Sequence, residues 1–176
     1  VWPISLEIAG ARLSLNQDGS VQLQVGATEI GQGADTVFSQ MAAETLHMDI
    51  SRVHIVTQQD TDVTPFDTGA YASRQSFVTG TAVKECAQQL KQKILEYART
   101  LVPGNVDRLE LEDGYILADG KPAISLEDLA MESYYSLSNS SVLTAEVSRQ
   151  VKKNTVASGC CFAEVEVDMK LGKIKV

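Results

Sequence analysis

Apolar and polar residues alternate from position 4 to position 25 on either side of Asn16-Gln17-Asp18-Gly19, with Ile8, Leu13 and Leu15 before that tetrapeptide and Val21, Leu23 and Val25 after it. A period of two around a polar turn ending in glycine predicts a β-hairpin. From Ala34 to Met48 the period lengthens: Val37, Met41, Ala42, Thr45 and Leu46 fall near helical spacing, and Asp35 lies in the first turn, where its charge suits the helix dipole. Val53-His54-Ile55-Val56 reads as a short strand. Gln58 to Gln75 then holds Pro65, Gly69 and several Asp and Thr, which predicts a long ordered loop, a class that usually carries function.

A second helix is predicted over Phe77 to Leu101, where Val83, Cys86, Ala87, Leu90, Ile94, Tyr97 and Leu101 form one apolar stripe and Pro103-Gly104 ends it. Leu109-Glu110-Leu111 and Tyr115-Ile116-Leu117 flank Asp113-Gly114 as a second hairpin. Ser125 caps a short helix over Leu126, Leu129 and Met131, with Asp128 placed for a capping box. Phe162 to Asp168 alternates strictly and reads as a core strand with Cys160 and Cys161 at its start, and Leu171-Gly172 turns it into Lys173–Val176. Strands, hairpins and two long helices without a regular βαβ repeat predict an α+β fold with mixed sheets.

A chain of 176 residues that is 44% hydrophobic can bury a core of its own, as one ordinary domain. No apolar run approaches the roughly 20 residues that cross a bilayer, so no membrane partner is expected. The start, Val1-Trp2-Pro3, has neither an initiator Met nor signal-peptide regions, and Leu171 to Val176 reads as a strand without a polar tail. Residues 1–176 are therefore expected to be a fragment that the native chain extends at both ends. The net charge of -8 and the lack of a basic stretch argue against nucleic acid as a partner. Three cysteines, Cys86, Cys160 and Cys161, without CxxC spacing suggest reduced thiols and a cytoplasmic location, with Cys86 in the core. His47 and His54 stand in no zinc-like spacing, so no metal ligand is assigned and neither is given a catalytic role. Any metal would arrive inside a cofactor.

Gly26-Ala27-Thr28-Glu29-Ile30-Gly31-Gln32-Gly33-Ala34-Asp35-Thr36 links a strand to a helix N-terminus through three glycines, a pattern that lets backbone amides approach an anion. Its spacing mimics a P-loop, but Gln32 and Gly33 stand where Lys and Ser or Thr are required, which disfavours ATP by that mechanism. A Gly-rich turn without any ligand would look the same, and Glu29 reads as orienting the loop rather than as a base. The loop Thr64-Pro65-Phe66-Asp67-Thr68-Gly69-Ala70-Tyr71-Ala72-Ser73-Arg74-Gln75-Ser76 leads small and hydrogen-bonding residues into the second helix. Two such helix N-termini could converge on one polyanionic cofactor. Asp60, Asp62 and Asp67 lack the alternation and terminal Glu of a calcium loop and read as turn caps.

Together "ATEIGQGADTVFSQMAAETL" and "TQQDTDVTPFDTGAYASRQSFVTGTAV" resemble the molybdopterin-binding region of xanthine dehydrogenases, aldehyde oxidoreductases and related molybdenum hydroxylases. The likeness extends to "LEIAGARLSLNQDGSVQLQVG" and "GCCFAEVEVDMKLGKIKV" and is weakest over 104 to 150. It implies that Ile30, Gly31, Gln32 and Gly33 contact a pterin cofactor and that Ala72, Ser73 and Gln75 line its other side. Arg74 would be a cationic partner for the cofactor phosphate, or else a surface charge. The family's base, a Glu within Gly-Glu-Pro, has no counterpart in these residues, and no catalytic residue is assigned. The resemblance implies an oxidoreductase, inactive as this chain alone, that hydroxylates a purine with oxygen from water and passes electrons through [2Fe-2S] and FAD to NAD. Its implied partners are the remainder of the molybdenum subunit and iron-sulfur and FAD subunits, and apolar faces left uncovered on a fragment would favour a homo-oligomer. An aldehyde or nicotinate-type hydroxylase, or a non-catalytic nucleotide-binding or structural α+β module, fits the same residues.

Overall fold

The computed structural model describes residues 7–152 and 158–176; Val1-Trp2-Pro3 and positions 4–6 of the expected hairpin lie outside them. Strands β1 (Ile8–Leu15) and β2 (Val21–Val25) form that hairpin, with Leu13 opposite Leu23 and Leu15 opposite Val21. Its turn closes on Gly19, whose φ of 73° favours glycine. Alternation puts Ala9, Ala11, Leu13, Leu15, Val21, Leu23 and Val25 on one buried face. Strand β3 (Val53–Ile55) joins β2 in parallel. Strand β7 (Thr144–Gln150) pairs antiparallel with the free edge of β1, giving the order β3-β2-β1-β7. The hydropathy pattern did not single out β7, because only Ala145 and Val147 of this edge strand are buried.

Two helices cover the sheet. Helix α2 (Gln75–Leu101) lays Val83, Cys86, Ala87, Leu90, Ile94 and Tyr97 against β1 and β7, as its stripe predicts. Helix α1 (Ala34–Leu46) packs beside it but is turned from the expected face. Phe38, Ala42 and Leu46 are buried, whereas Val37, Met41 and Thr45 are half-buried. Met41 instead fills the space over Gly80 of α2, where a Cβ would lie 2.6 Å from its sulfur. The helix stops two residues before the expected end: His47 is left-handed, and Met48 N–H donates to Ala43 C=O at 3.0 Å.

Strands β4 (Leu109–Glu112), β5 (Tyr115–Ala118) and β6 (Lys121–Ser125) form a meander. Short, largely exposed and broken by Pro122, β6 carries no apolar alternation to announce it. Helix α3 (Leu126–Tyr135) opens on Ser125, whose Oγ accepts the Asp128 N–H at 3.0 Å and donates to Asp128 Oδ2 at 2.6 Å. Met131, expected on its buried face, is exposed; Leu126, Leu129 and Ala130 are buried.

The expected core strand at Phe162 is corrected. Only β8 (Glu166–Asp168) and β9 (Lys173–Lys175) form a hairpin, and every residue from 158 to 176 is exposed, Cys160, Cys161 and Phe162 included. Alternation alone does not make a core strand; a second sheet face must cover it, and none does among the described residues. The class is α+β, and no described helix is long and apolar enough to cross a membrane.

Candidate functional site

The two motif loops meet because one of them is strapped to the sheet. Residues Pro65 to Asp67 cross past the end of β2 and pair with β1, where Asp67 forms an antiparallel bridge to Ala9 and Gly10 N–H donates to Phe66 C=O at 2.8 Å. A Cβ on Gly26 would stand 2.1 Å from the Pro65 carbonyl oxygen, and one on Gly10 would stand 2.7 Å from Pro65 Cβ. Glycine at these two positions is therefore a condition for the close approach of the loop. Gly26, the first glycine of the motif, serves this crossing.

Strapping brings residues 70–76 beside residues 30–34 around a cleft of about 380 Å³. Its walls include Ile30, Gln32, Ala72, Ser73, Arg74 and Gln75, six of the positions expected from the sequence. Gln32 Nε2 donates to Gln75 Oε1 at 2.5 Å across 43 residues of sequence, and both side-chain amides donate to Thr28 C=O. Gln32 Oε1 accepts the Ile30 N–H at 2.7 Å. Gly31 (φ 96°) and Gly33 (φ 80°) face open space at their Cβ positions, so nothing in the protein crowds that side.

The heads of the two helices differ. Free amides are expected at both, but at α1 those of Gly31, Gly33 and Asp35 are taken. Glu29 Oε1 accepts the N–H groups of Gly31 (2.7 Å) and Gly33 (3.0 Å), and Oε2 accepts that of Asp35 (3.1 Å). Amide donation from Asp35, Gly33 and their neighbours holds the Glu29 carboxyl below its ordinary range. Desolvation, aided by the Glu29 charge, raises that of Asp35, whose Oδ1 is buried with no partner among the described residues. At the head of α2, Ala72 and Ser73 are both left-handed (φ 50° and 55°). The N–H groups of Ala72, Ser73, Gln75 and Ser76 donate to no acceptor among the described residues.

Arg74 borders the cleft but is not a surface charge, because its guanidinium is engaged by partners inside the protein. Its side chain is 1% exposed. Its guanidinium donates to Glu7 Oε2, to Asp67 Oδ1 (2.5 Å) and to the carbonyls of Gly69 (2.8 Å) and Ile8 (2.9 Å). Burial works against the cation, and the two carboxylates more than offset it, so its pKa lies above the ordinary guanidinium value. Asp67, fully buried, also accepts from Gly69 N–H (2.8 Å) and Thr79 Oγ (2.7 Å), and Tyr71 O–H donates to Glu7 Oε1 at 3.2 Å. Glu7 carries no signal in the sequence, and Asp67 does more than cap a turn; no local pattern links Arg74 to a partner 67 residues earlier. Asp60 does cap its turn, accepting from Asp62 N–H.

His47 lies elsewhere, paired with Glu112 at 2.7 Å on the rim of a wider cleft at the far end of α1. Cys86 is buried, and its thiol donates to Ala145 C=O at 3.2 Å.

The profile of the molybdopterin cofactor-binding domain matches residues 2–176. Over 99% of its length the chain is 47% identical to the xanthine dehydrogenase molybdenum-binding subunit of Escherichia coli O157:H7, of which it covers 24%. It thus spans about a quarter of that relative's length. Among solved structures it is similar to CO dehydrogenase from Oligotropha carboxidovorans, at 25% identity and a TM-score of 0.71 over 81% of this chain and 18% of that one. Quinoline 2-oxidoreductase from Pseudomonas putida 86, 22% identical, shares the fold with a TM-score of 0.70 over 82% of this chain and 19% of its own.

Proposed function

The chain belongs to the molybdopterin cofactor-binding domain family, and from that premise we propose that it forms one wall of the cofactor site in a molybdenum hydroxylase of the xanthine dehydrogenase type. One observation carries the placement: two loops far apart in sequence converge on one cleft and are tied by the Gln32–Gln75 bond. The donor set suits a pterin with a phosphate tail. Open glycines at 31 and 33 admit a flat ligand against the backbone, two primary amides offer donors and acceptors to its polar edge, and the unpaired N–H groups at the head of α2 suit an anionic group. Ile30 adds an exposed apolar contact.

When bound, the molybdenum cofactor supplies the transfer of oxygen from water to a purine carbon and the uptake of the electrons released. This chain's residues hold and orient it: Gln32 and Gln75 by hydrogen bonds, Gly31, Gly33, Ala72 and Ser73 by backbone approach. Arg74 belongs to the same wall through the carboxylates and carbonyls it gathers. The base and the substrate contacts come from the rest of the subunit, since residues 1–176 contain no Gly-Glu-Pro. Iron-sulfur and FAD subunits take the electrons to NAD, and free thiols fit a cytoplasmic setting.

In the full-length protein, Gln32→Ala removes a hydrogen bond to a strongly polar group, which lowers cofactor affinity by roughly tenfold or more. Molybdenum per polypeptide and hypoxanthine and xanthine turnover fall together, while His47→Ala, at the far end of α1, leaves both unchanged. Full molybdenum and full turnover in Gln32→Ala would remove this residue from the site.

A further inference from the structure

The loop that carries Gln32 has little packing to hold it. Thr28, Ile30, Gly31 and Gln32 are exposed, both glycines face open space, and the N-cap of α1 is Gly33, which has no side chain to cap with. Glycine loses more conformational freedom on ordering than any other residue, so two left-handed glycines around Gln32 need a specific restraint. Glu29 supplies one. Its two oxygens receive three backbone N–H groups, those of Gly31, Gly33 and Asp35, and so bracket Gln32 on both sides.

We propose that Glu29 is a positioning residue of the cofactor site: its carboxylate fills the amide nest at the head of α1 and thereby fixes the backbone from which Gln32 reaches the cofactor. The chemistry demands a carboxylate. All three groups facing Glu29 are donors, and a carboxylate accepts without donating, whereas a Gln side chain would turn an N–H₂ toward at least one of them. Glu29 thus occupies the amides of Gly31, Gly33 and Asp35, which leaves those of Ala34 and Thr36 at the head of α1 and those of Ala72, Ser73, Gln75 and Ser76 at the head of α2 for an incoming anionic group.

The inference rests on the cofactor reading, and the test separates the two. Amide hydrogen exchange over residues 30–35 is followed in the cofactor-free full-length protein, with molybdenum per polypeptide measured after loading, for Glu29→Gln and Gln32→Ala. Glu29→Gln speeds exchange at Gly31, Gly33 and Asp35 about tenfold or more, the loss of hydrogen bonds to a charged acceptor, and lowers molybdenum content. Gln32→Ala lowers molybdenum content while those three amides keep their protection. Unchanged exchange in Glu29→Gln overturns the restraint. Faster exchange with wild-type molybdenum content overturns the positioning role and leaves Glu29 as a cap of α1 alone. If Glu29→Gln loses protection and Gln32→Ala keeps full molybdenum, the restraint is real and the cofactor reading at Gln32 is what fails. Exchange in α2 and β1, unchanged in either variant, reports that the fold is intact.

Discussion

The cleft has two walls, and each is held by charge in a different way. On the α2 side the charge is internal: Arg74 sits with its side chain 1% exposed between Asp67 and Glu7, and the chain wraps around it. On the α1 side the charge lies near the surface, where Glu29 gathers amides that water could otherwise serve. Removing a buried partner strands the opposite charges in a low-dielectric site; removing a surface carboxylate only frees a loop. One wall is part of the fold and the other is adjustable.

Substitution of Arg74 should break that contrast most severely. Arg74→Met leaves Asp67 and Glu7 buried without their cation and costs about 3–5 kcal/mol of unfolding free energy, read from urea denaturation. Arg74→Lys does not restore it, because one ammonium cannot reach two carboxylates and two carbonyls in the guanidinium's fan. A loss below about 1 kcal/mol for Arg74→Met would place the network among surface pairs.

Gly26→Ala tests how the two walls are brought together. The added Cβ meets the Pro65 carbonyl oxygen, so the strap must lift, at a cost of about 1–3 kcal/mol in stability. Exchange of the Phe66-bound Gly10 amide should rise with it. A melting temperature equal to wild type would show that the strap can slide.

The smallest effect concerns a buried group that stays neutral. Burial raises the Cys86 thiol to about 11, from 9.0. The unfolded chain loses that proton first as pH rises, so Cys86 contributes stability that is intact below pH 9 and lost progressively toward pH 11. Cys86→Ala should flatten the fall in stability over that window. At pH 8 an alkylating reagent should modify the exposed Cys160 and Cys161 and spare Cys86 in the native state.

What could be read in advance follows the range of the interaction. The β1–β2 hairpin, the α2 stripe and the Ser125 cap are set by residues within a few positions of one another, and pattern reveals them. Six motif positions also border one cleft. The burial of Arg74 depends on Glu7, 67 residues away, and sequence spacing carries no trace of it. The rotation of α1 follows from Gly80 admitting Met41, again a contact between distant segments. Alternation at Phe162 misled for the converse reason: a locally correct pattern has no covering layer among the described residues.

The pairing of β1 also bears on how the chain is made. Its neighbour on one side, β2, leaves the ribosome at almost the same time, but its neighbour on the other, β7, is matched Ile8 to Gln150 and Ser14 to Thr144. More than a hundred residues must be synthesised before that edge can close. Until then a strand destined for the interior of the sheet offers an open row of N–H and C=O groups to whatever else is being translated nearby. Helix α2, which packs on both β1 and β7, emerges between them and can cover the apolar face of β1 but not its edge. Escape from wrong pairing during synthesis therefore depends on the time taken to reach Gln150, a quantity set by translation speed rather than by the stability of the finished fold.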